Sequence, residues 1–330
     1  MAISSTIYSP NEWRLAIKNE TTAGTANVTS MQLVNIDPLS VKIAEGVVMQ
    51  SDPRTGTGRL LKKADHFTTE KGTIKKISFS GIADTTVLPL LMKNILGQTT
   101  YDIAYNYSPT DIGIGDVDND YDGLMTIALI SPIAANTRIF PGCILDELHI
   151  TGDPATDGGR FHFSAVALSG GIPSVDQAIP TGMSAYGSTY YSFYDLDTTQ
   201  LTISGGAAAD FLLGKFSLDL KANVRMFGFD SNGAFQEIAR GLPYFDPHFT
   251  LTCKYDSNVM SVYQEMADGQ ELVILVADNA TWGSASVGFT SSYAMLVADP
   301  ELSNINEGAF VDFTFQPKAH TSGNLIEMAF

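Results

Sequence analysis

A two-residue rhythm constrains this chain more than any other feature. In "SLDLKANVRM", Leu218, Leu220, Ala222, Val224 and Met226 alternate with Ser217, Asp219, Lys221, Asn223 and Arg225. Successive side chains of a strand point to opposite faces, so the run predicts one strand with a buried face and a polar face. Asp230-Ser231-Asn232-Gly233 then reads as a turn, and "AFQEIARGLPYF" as the returning arm of a long hairpin. The rhythm recurs at Phe161, Phe163, Ala165 and Ala167, at Phe249, Leu251, Cys253 and Tyr255, and at Val311, Phe313 and Phe315. Only 17% of residues are charged, and polarity rests on Ser, Thr, Asn and Gly, a mix that suits sheets and loops. The expected class is mainly β.

Two stretches break the rhythm. "ADTTVLPLLMKNILGQ" predicts a helix capped by Asp84, with Val87, Leu88, Leu91 and Ile95 as its apolar stripe and Pro89 in its first turn. "YDSNVMSVYQEMADGQ" predicts a second, capped by Asp256. At an offset of 172 the two coincide: Asp84 falls on Asp256, Val87 on Val259, Gly97 on Gly269, and the preceding Ile77, Phe79 and Gly81 on Phe249, Leu251 and Cys253. "DGGRFHFSA" (157–165) and "EGAFVDFTF" (307–315) match at an offset of 150. A long hairpin opens each half; the first runs from "SVKIAEGVVMQ" through "SDPRTGTG" to "RLLKKADHF". The reading is two copies of one unit, residues 1–170 and 189–330, joined by a Gly/Pro/Ser-rich linker 171–188.

These elements together resemble the major tail tube protein of long-tailed bacteriophages. The resemblance rests on the arm "NETTAGTANVTSMQLVNIDPLSVKI", the long hairpin, the helix "DTTVLPLLMKNILG", the strand pair "FPGCILDELHITGD...GGRFHFSAVALSGG", and the closing "NEGAFVDFTFQPKA". It implies two tandem β-sandwich units, each with one long hairpin and one short flanking helix. It also implies trimeric, pseudo-hexameric rings that stack into a hollow tube conducting double-stranded DNA without binding it. Other tail proteins would be partners, the virion tail the location, and the host cytoplasm the place of assembly.

Charge fits that expectation. The formal net charge is −17, and such acidity argues against gripping phosphates while allowing DNA to slide past. The polar face Ser217, Asp219, Lys221, Asn223 and Arg225 is the candidate lumen surface; simple solvent exposure is the alternative. Basic charge gathers at Arg54, Arg59, Lys62, Lys63, Lys71, Lys75 and Lys76. Arg54, Arg59, Lys62 and Lys63 are candidate ring-interface residues that would meet an acidic neighbour, or else a solvated loop.

Other functional readings compete with this one. "GIGDVDNDYDGLM" places Asp118, Asp120 and Asp122 as a calcium loop would, but position twelve is Leu129 rather than a bidentate acid. Calcium is therefore a weak cofactor candidate, and 106–123 reads as an acidic loop inserted in the first copy. An acidic β-sandwich binding module, such as a calcium-dependent adhesin, is the alternative function, followed by another virion surface or decoration protein. No nucleophile elbow, phosphate loop or zinc-binding His spacing is present, so no enzyme is expected. His149 and His162 sit in neighbouring predicted strands, and Asp146 and Glu147 point to opposite faces. Tyr186, Tyr190, Tyr191, Phe193 and Tyr194 read as packing around the linker. Cys143 and Cys253 read as small buried hydrophobes in a reducing compartment. Neither a secretory signal nor a membrane-length apolar run is seen.

Overall fold

The computed structural model describes residues 10–22, 24–44, 48–51, 66–69, 74–96, 104–107, 124–133, 135–203, 208–228, 237–239, 246–257, 259–260, 272–281, 284–297, 301–305, 308–317 and 326–329. The first half contains β1 (Arg14–Asn19), β2 (Gln32–Val34), β3 (Lys42–Ala44), β4 (Val48–Ser51), β5 (His66–Thr69) and β6 (Lys75–Ile82). Helix α1 (Leu88–Leu96) follows, then β7 (Ala104–Tyr107), β8 (Met125–Ile130), β9 (Thr137–Gly152), β10 (Phe161–Ser169) and β11 (Ser174–Gln177). The second half contains β12 (Thr198–Ile203), β13 (Ala208–Asp210), β14 (Leu213–Lys221), β15 (Arg225–Phe227), β16 (Glu237–Ala239) and β17 (Asp246–Lys254). It ends with β18 (Leu272–Ala277), β19 (Gly288–Leu296), β20 (Glu301–Ile305), β21 (Gly308–Pro317) and β22 (Ile326–Ala329). The fold is mainly β; eighteen strands join one antiparallel network, with β4–β5 and β15–β16 as separate two-stranded ribbons.

Alternation decides what is buried. Phe161, Phe163, Ala165 and Ala167 of β10, Phe249, Leu251 and Cys253 of β17, and Val311, Phe313 and Phe315 of β21 are all buried. Tyr255, expected in the β17 series, lies past the strand end and is exposed. On the polar hairpin the faces alternate as expected, but the strand is not continuous. β14 stops at Lys221 and β15 begins at Arg225. Between them Asn223 takes a positive φ of 49°, and Asp146 Oδ1 accepts from the Val224 amide at 2.7 Å. Asp146 lies on the neighbouring β9 and holds the Val224 amide where the ladder is interrupted.

The two halves share one strand plan. The first runs β2–β1–β8–β9–β10–β6–β3, and the second runs β13–β12–β18–β19–β21–β17–β14. Chain order is the same in both. A bulge is shared as well: Met125 opposes Cys143 while Ile127 opposes Phe140, and Leu272 opposes Ala294 while Ile274 opposes Ser291. β11 and β22 each return to their half's long strand, β9 or β19. β20 continues β19 along β21, as the distal part of β9 continues its own start along β10. One sequence alignment is corrected. Ile77 pairs with Ala167 and Phe249 with Phe315, so with the 172 offset kept for β6 and β17, β10 falls on β21 at 148, not 150.

The Asp84 and Asp256 caps agree between halves, and residues 261–269 of the second predicted helix lie outside the described residues. Asp84 Oδ1 accepts from Val87 N at 2.8 Å, and Asp256 Oδ1 from Val259 N at 3.0 Å. The α1 stripe is fully buried, and Asn94 fastens α1 to β9 by donating to Cys143 O at 3.1 Å and accepting from Leu145 N at 2.6 Å. Of the segment read as an inserted loop, Asn106 and Tyr107 belong instead to β7, which pairs with β22. Of the segment read as linker, Ser174–Gln177 is β11. Tyr191 stacks on Phe161 at 6.4 Å, and Arg160 lies 4.7 Å from the Tyr190 ring centre, so these aromatics pack on the first half.

Candidate assembly surface

The halves are joined by main-chain pairing. β14 aligns with the distal part of β9: Phe216 opposes Gly152, Leu218 opposes Ile150, Leu220 opposes Leu148 and Lys221 opposes Glu147. The apolar face of this seam is core. Phe216 meets Phe161 edge-on at 5.0 Å and Phe289 at 5.3 Å. Gly152 is required there, because a Cβ on it would lie 2.2 Å from the Phe216 ring. An aromatic covering a cross-strand glycine supplies the area the glycine lacks.

The opposite face of the seam is polar and crosses β10, β9, β14, β17 and β21. His162, Thr151, Ser217, Thr250 and Thr314 form one row, by successive pairings. Ser164, His149, Asp219 and His248 form the next, and His149 Nδ1 bonds Asp219 Oδ1. Val166, Glu147, Lys221 and Asp246 form a third. Thr252 donates to Asp312, and Gln316 donates to Asp246 Oδ1 at 2.6 Å. Ser217 and Asp219 are half-buried by these neighbours, whereas Lys221, Asn223 and Arg225 are exposed. Thus Ser217, Asp219 and Lys221 share a face, where the carboxylates Glu147, Asp219, Asp246 and Asp312 stand against Lys215, Lys221 and Lys254. His149 and His162 sit two pairs apart on the β9–β10 ladder, and their carboxylate partners are Asp219 and Asp157 rather than each other.

Arg54, Arg59, Lys62 and Lys63, and Asp118, Asp120 and Asp122, lie outside the described residues. Of the basic run, Lys75 is buried at 7% exposure, which removes it from any surface role, while Lys76 is exposed. Among the described residues no group of three acidic, His or Cys side chains could hold a metal, and no helix is long and apolar enough to cross a membrane. Both cysteines are fully buried, and burial pushes their thiols well above the ordinary range.

Glu20 is a further residue of structural weight that no sequence pattern marks. It follows β1 and accepts from Gly142 N at 2.7 Å, Thr126 Oγ1 at 2.9 Å and Gly24 N at 2.7 Å. Burial raises its carboxyl pKa above 4.5 despite these three donors. An isolated Glu after a short strand carries no sequence signal for such a role. A comparison with models of known families found no match, and a search of curated proteins found none either.

Proposed function

We propose that this chain is a structural subunit of a phage tail tube. In this reading the halves are tandem copies of one unit, three chains make a pseudo-hexameric ring, and rings stack into a hollow tube that passes double-stranded DNA. One observation carries the reading: a polar, acid-rich face continues without a break from β10 across the seam to β21, backed by a common core. A ring built by repeating that seam would present the face around a channel. Carboxylates there repel phosphates, their excess over the lysines of the face leaves it net negative, and the hydroxyls between them carry no charge. The repulsion would act within a Debye length of about 8 Å at physiological salt. Assembly in the host cytoplasm, placement in the virion tail and contact with other tail proteins belong to the same proposal.

Negative-stain electron microscopy of concentrated full-length protein, with and without calcium, tests it. Hollow tubes or stacked rings are expected in both conditions. Monodisperse monomers throughout would overturn the reading, and assembly or shape change only with calcium would favour a calcium-dependent binding module.

A further inference from the structure

The seam between β9 and β14 has two loose ends elsewhere in the molecule. β3 stands to β6 as β14 stands to β17, and β20 stands to β21 as the distal part of β9 stands to β10. Yet among the described residues the registered ladder of β3 is with β6 alone, and that of β20 with β21 alone. We propose that β20 of one chain pairs antiparallel with β3 of a second copy, in the register that joins β9 to β14. The inference deepens the tube reading and rests on it for its setting.

The register follows from the pairings. Leu218 opposes Phe249 and Ile43 opposes Ile77, so Ile43 takes the place of Leu218. Ile150 opposes Phe163 and Leu302 opposes Val311, so Leu302 takes the place of Ile150. The internal pair Leu218–Ile150 therefore becomes Ile43–Leu302 between chains, with Lys42 opposite Ser303 and Ala44 opposite Glu301.

Burial points the same way. Ile150 and Leu218 are 0% exposed, whereas Leu302 is 77% exposed, the highest value among the large apolar side chains of the described residues. An exposed Leu on a strand with one unpaired edge is an invitation to edge pairing. Charge agrees as well. Lys42 and Glu301, both exposed, would be diagonal neighbours on one face of the new ladder. Because the two edges differ, the contact is head-to-tail and propagates instead of closing on two copies by a twofold axis.

Chains carrying one added cysteine test this in the assembled protein. An Ile43→Cys chain is mixed with a Leu302→Cys chain, oxidised and run on a non-reducing gel; buried Cys143 and Cys253 stay out of the reaction. The expected result is a covalent dimer at about tenfold the yield of either variant alone or of Lys42→Cys mixed with Leu302→Cys, whose Cβ vectors point apart. Electron microscopy of the parent runs alongside. Rings or tubes without the cross-link would overturn this interface and leave the tube reading standing. The cross-link without rings or tubes would support the interface and overturn the tube. Absence of both would overturn both. Leu302→Lys should remain folded and lose assembly; assembly at parental yield would count against the pairing.

Discussion

Corresponding residues occupy opposite environments at the β9–β14 seam and at the edges of β20 and β3. Ile150 is sealed against Leu218, while Leu302, in the same place on its own ladder, faces solvent. The same backbone plan therefore yields a core position in one half and a surface position in the other. What differs is the neighbour: β14 of the second half occupies the edge of β9, and among the described residues no strand occupies the corresponding edge of β20. Burial at such a site is set by topology more than by residue type, since both side chains are branched aliphatics of equal size.

The sharpest way to break the comparison is at the filled seam. Phe216→Ala removes the ring that covers Gly152 and touches Phe161 and Phe289. A loss of about 3–5 kcal/mol is expected, as for other buried Phe truncations. Urea unfolding of the full chain would measure it, and a loss below ~1 kcal/mol would mean that the seam collapses around the void. Gly152→Ala attacks the same seam from the other strand by placing a methyl group 2.2 Å from the Phe216 ring. Neighbouring rings restrict its retreat, so ~1–3 kcal/mol of overpacking strain is expected in the same assay. An unchanged midpoint would show that Phe216 can swing away.

A third test uses a place where the halves diverge. Glu20 holds the β1 end to β8 and β9, while the β1-to-β12 offset of 184 brings Glu20 to Ser204, outside the described residues. The Glu20 pKa is raised on folding, so the folded chain holds the proton more tightly than the unfolded chain. Stability therefore falls as pH climbs from the ordinary 4.5 through the raised folded value, and the favourable term is fully present only below that window. Glu20→Gln should remove this part of the slope, even though its amide puts a donor among donors and lowers stability at every pH. Urea midpoints across pH 4–7 for both proteins, compared as slopes, decide it; parallel slopes would show that the carboxyl is not the source.

The elements were legible because their causes are local. Alternation gave the faces of β10, β14, β17 and β21, and an acid three residues before an apolar stripe gave both caps, Asp84 and Asp256. The register between halves was not legible, for a physical reason. Sliding a strand by two residues keeps every side chain on its face, so Phe163 can be set on Phe313 or on Val311 with no change of pattern. Only the ladder to β6 and β17 decides between them. The Asn223 break was hidden because its bond partner, Asp146, is 78 residues away. The polar face was readable along one strand, but its extension across five strands depends on partner choice, which the rhythm does not encode.

The smallest expected effect gives the closest test of the comparison. Ile150→Ser and Leu302→Ser make similar chemical changes at corresponding sites. At Ile150 the hydroxyl would sit in a fully buried position and leave a void, so ~2–5 kcal/mol should be lost from the unfolding free energy. At Leu302 most of the side chain already touches water, and a solvent-exposed substitution should move stability by no more than ~0.5 kcal/mol. The measurement must be made on dilute, unassembled protein, because self-association would lend Leu302 stability by mass action. Under those conditions, near-zero loss at Leu302 beside a large loss at Ile150 means that the β20 edge is bare in the single chain. A large loss at both would mean that another part of the same chain covers Leu302, and the two sites would then share an environment as well as a plan.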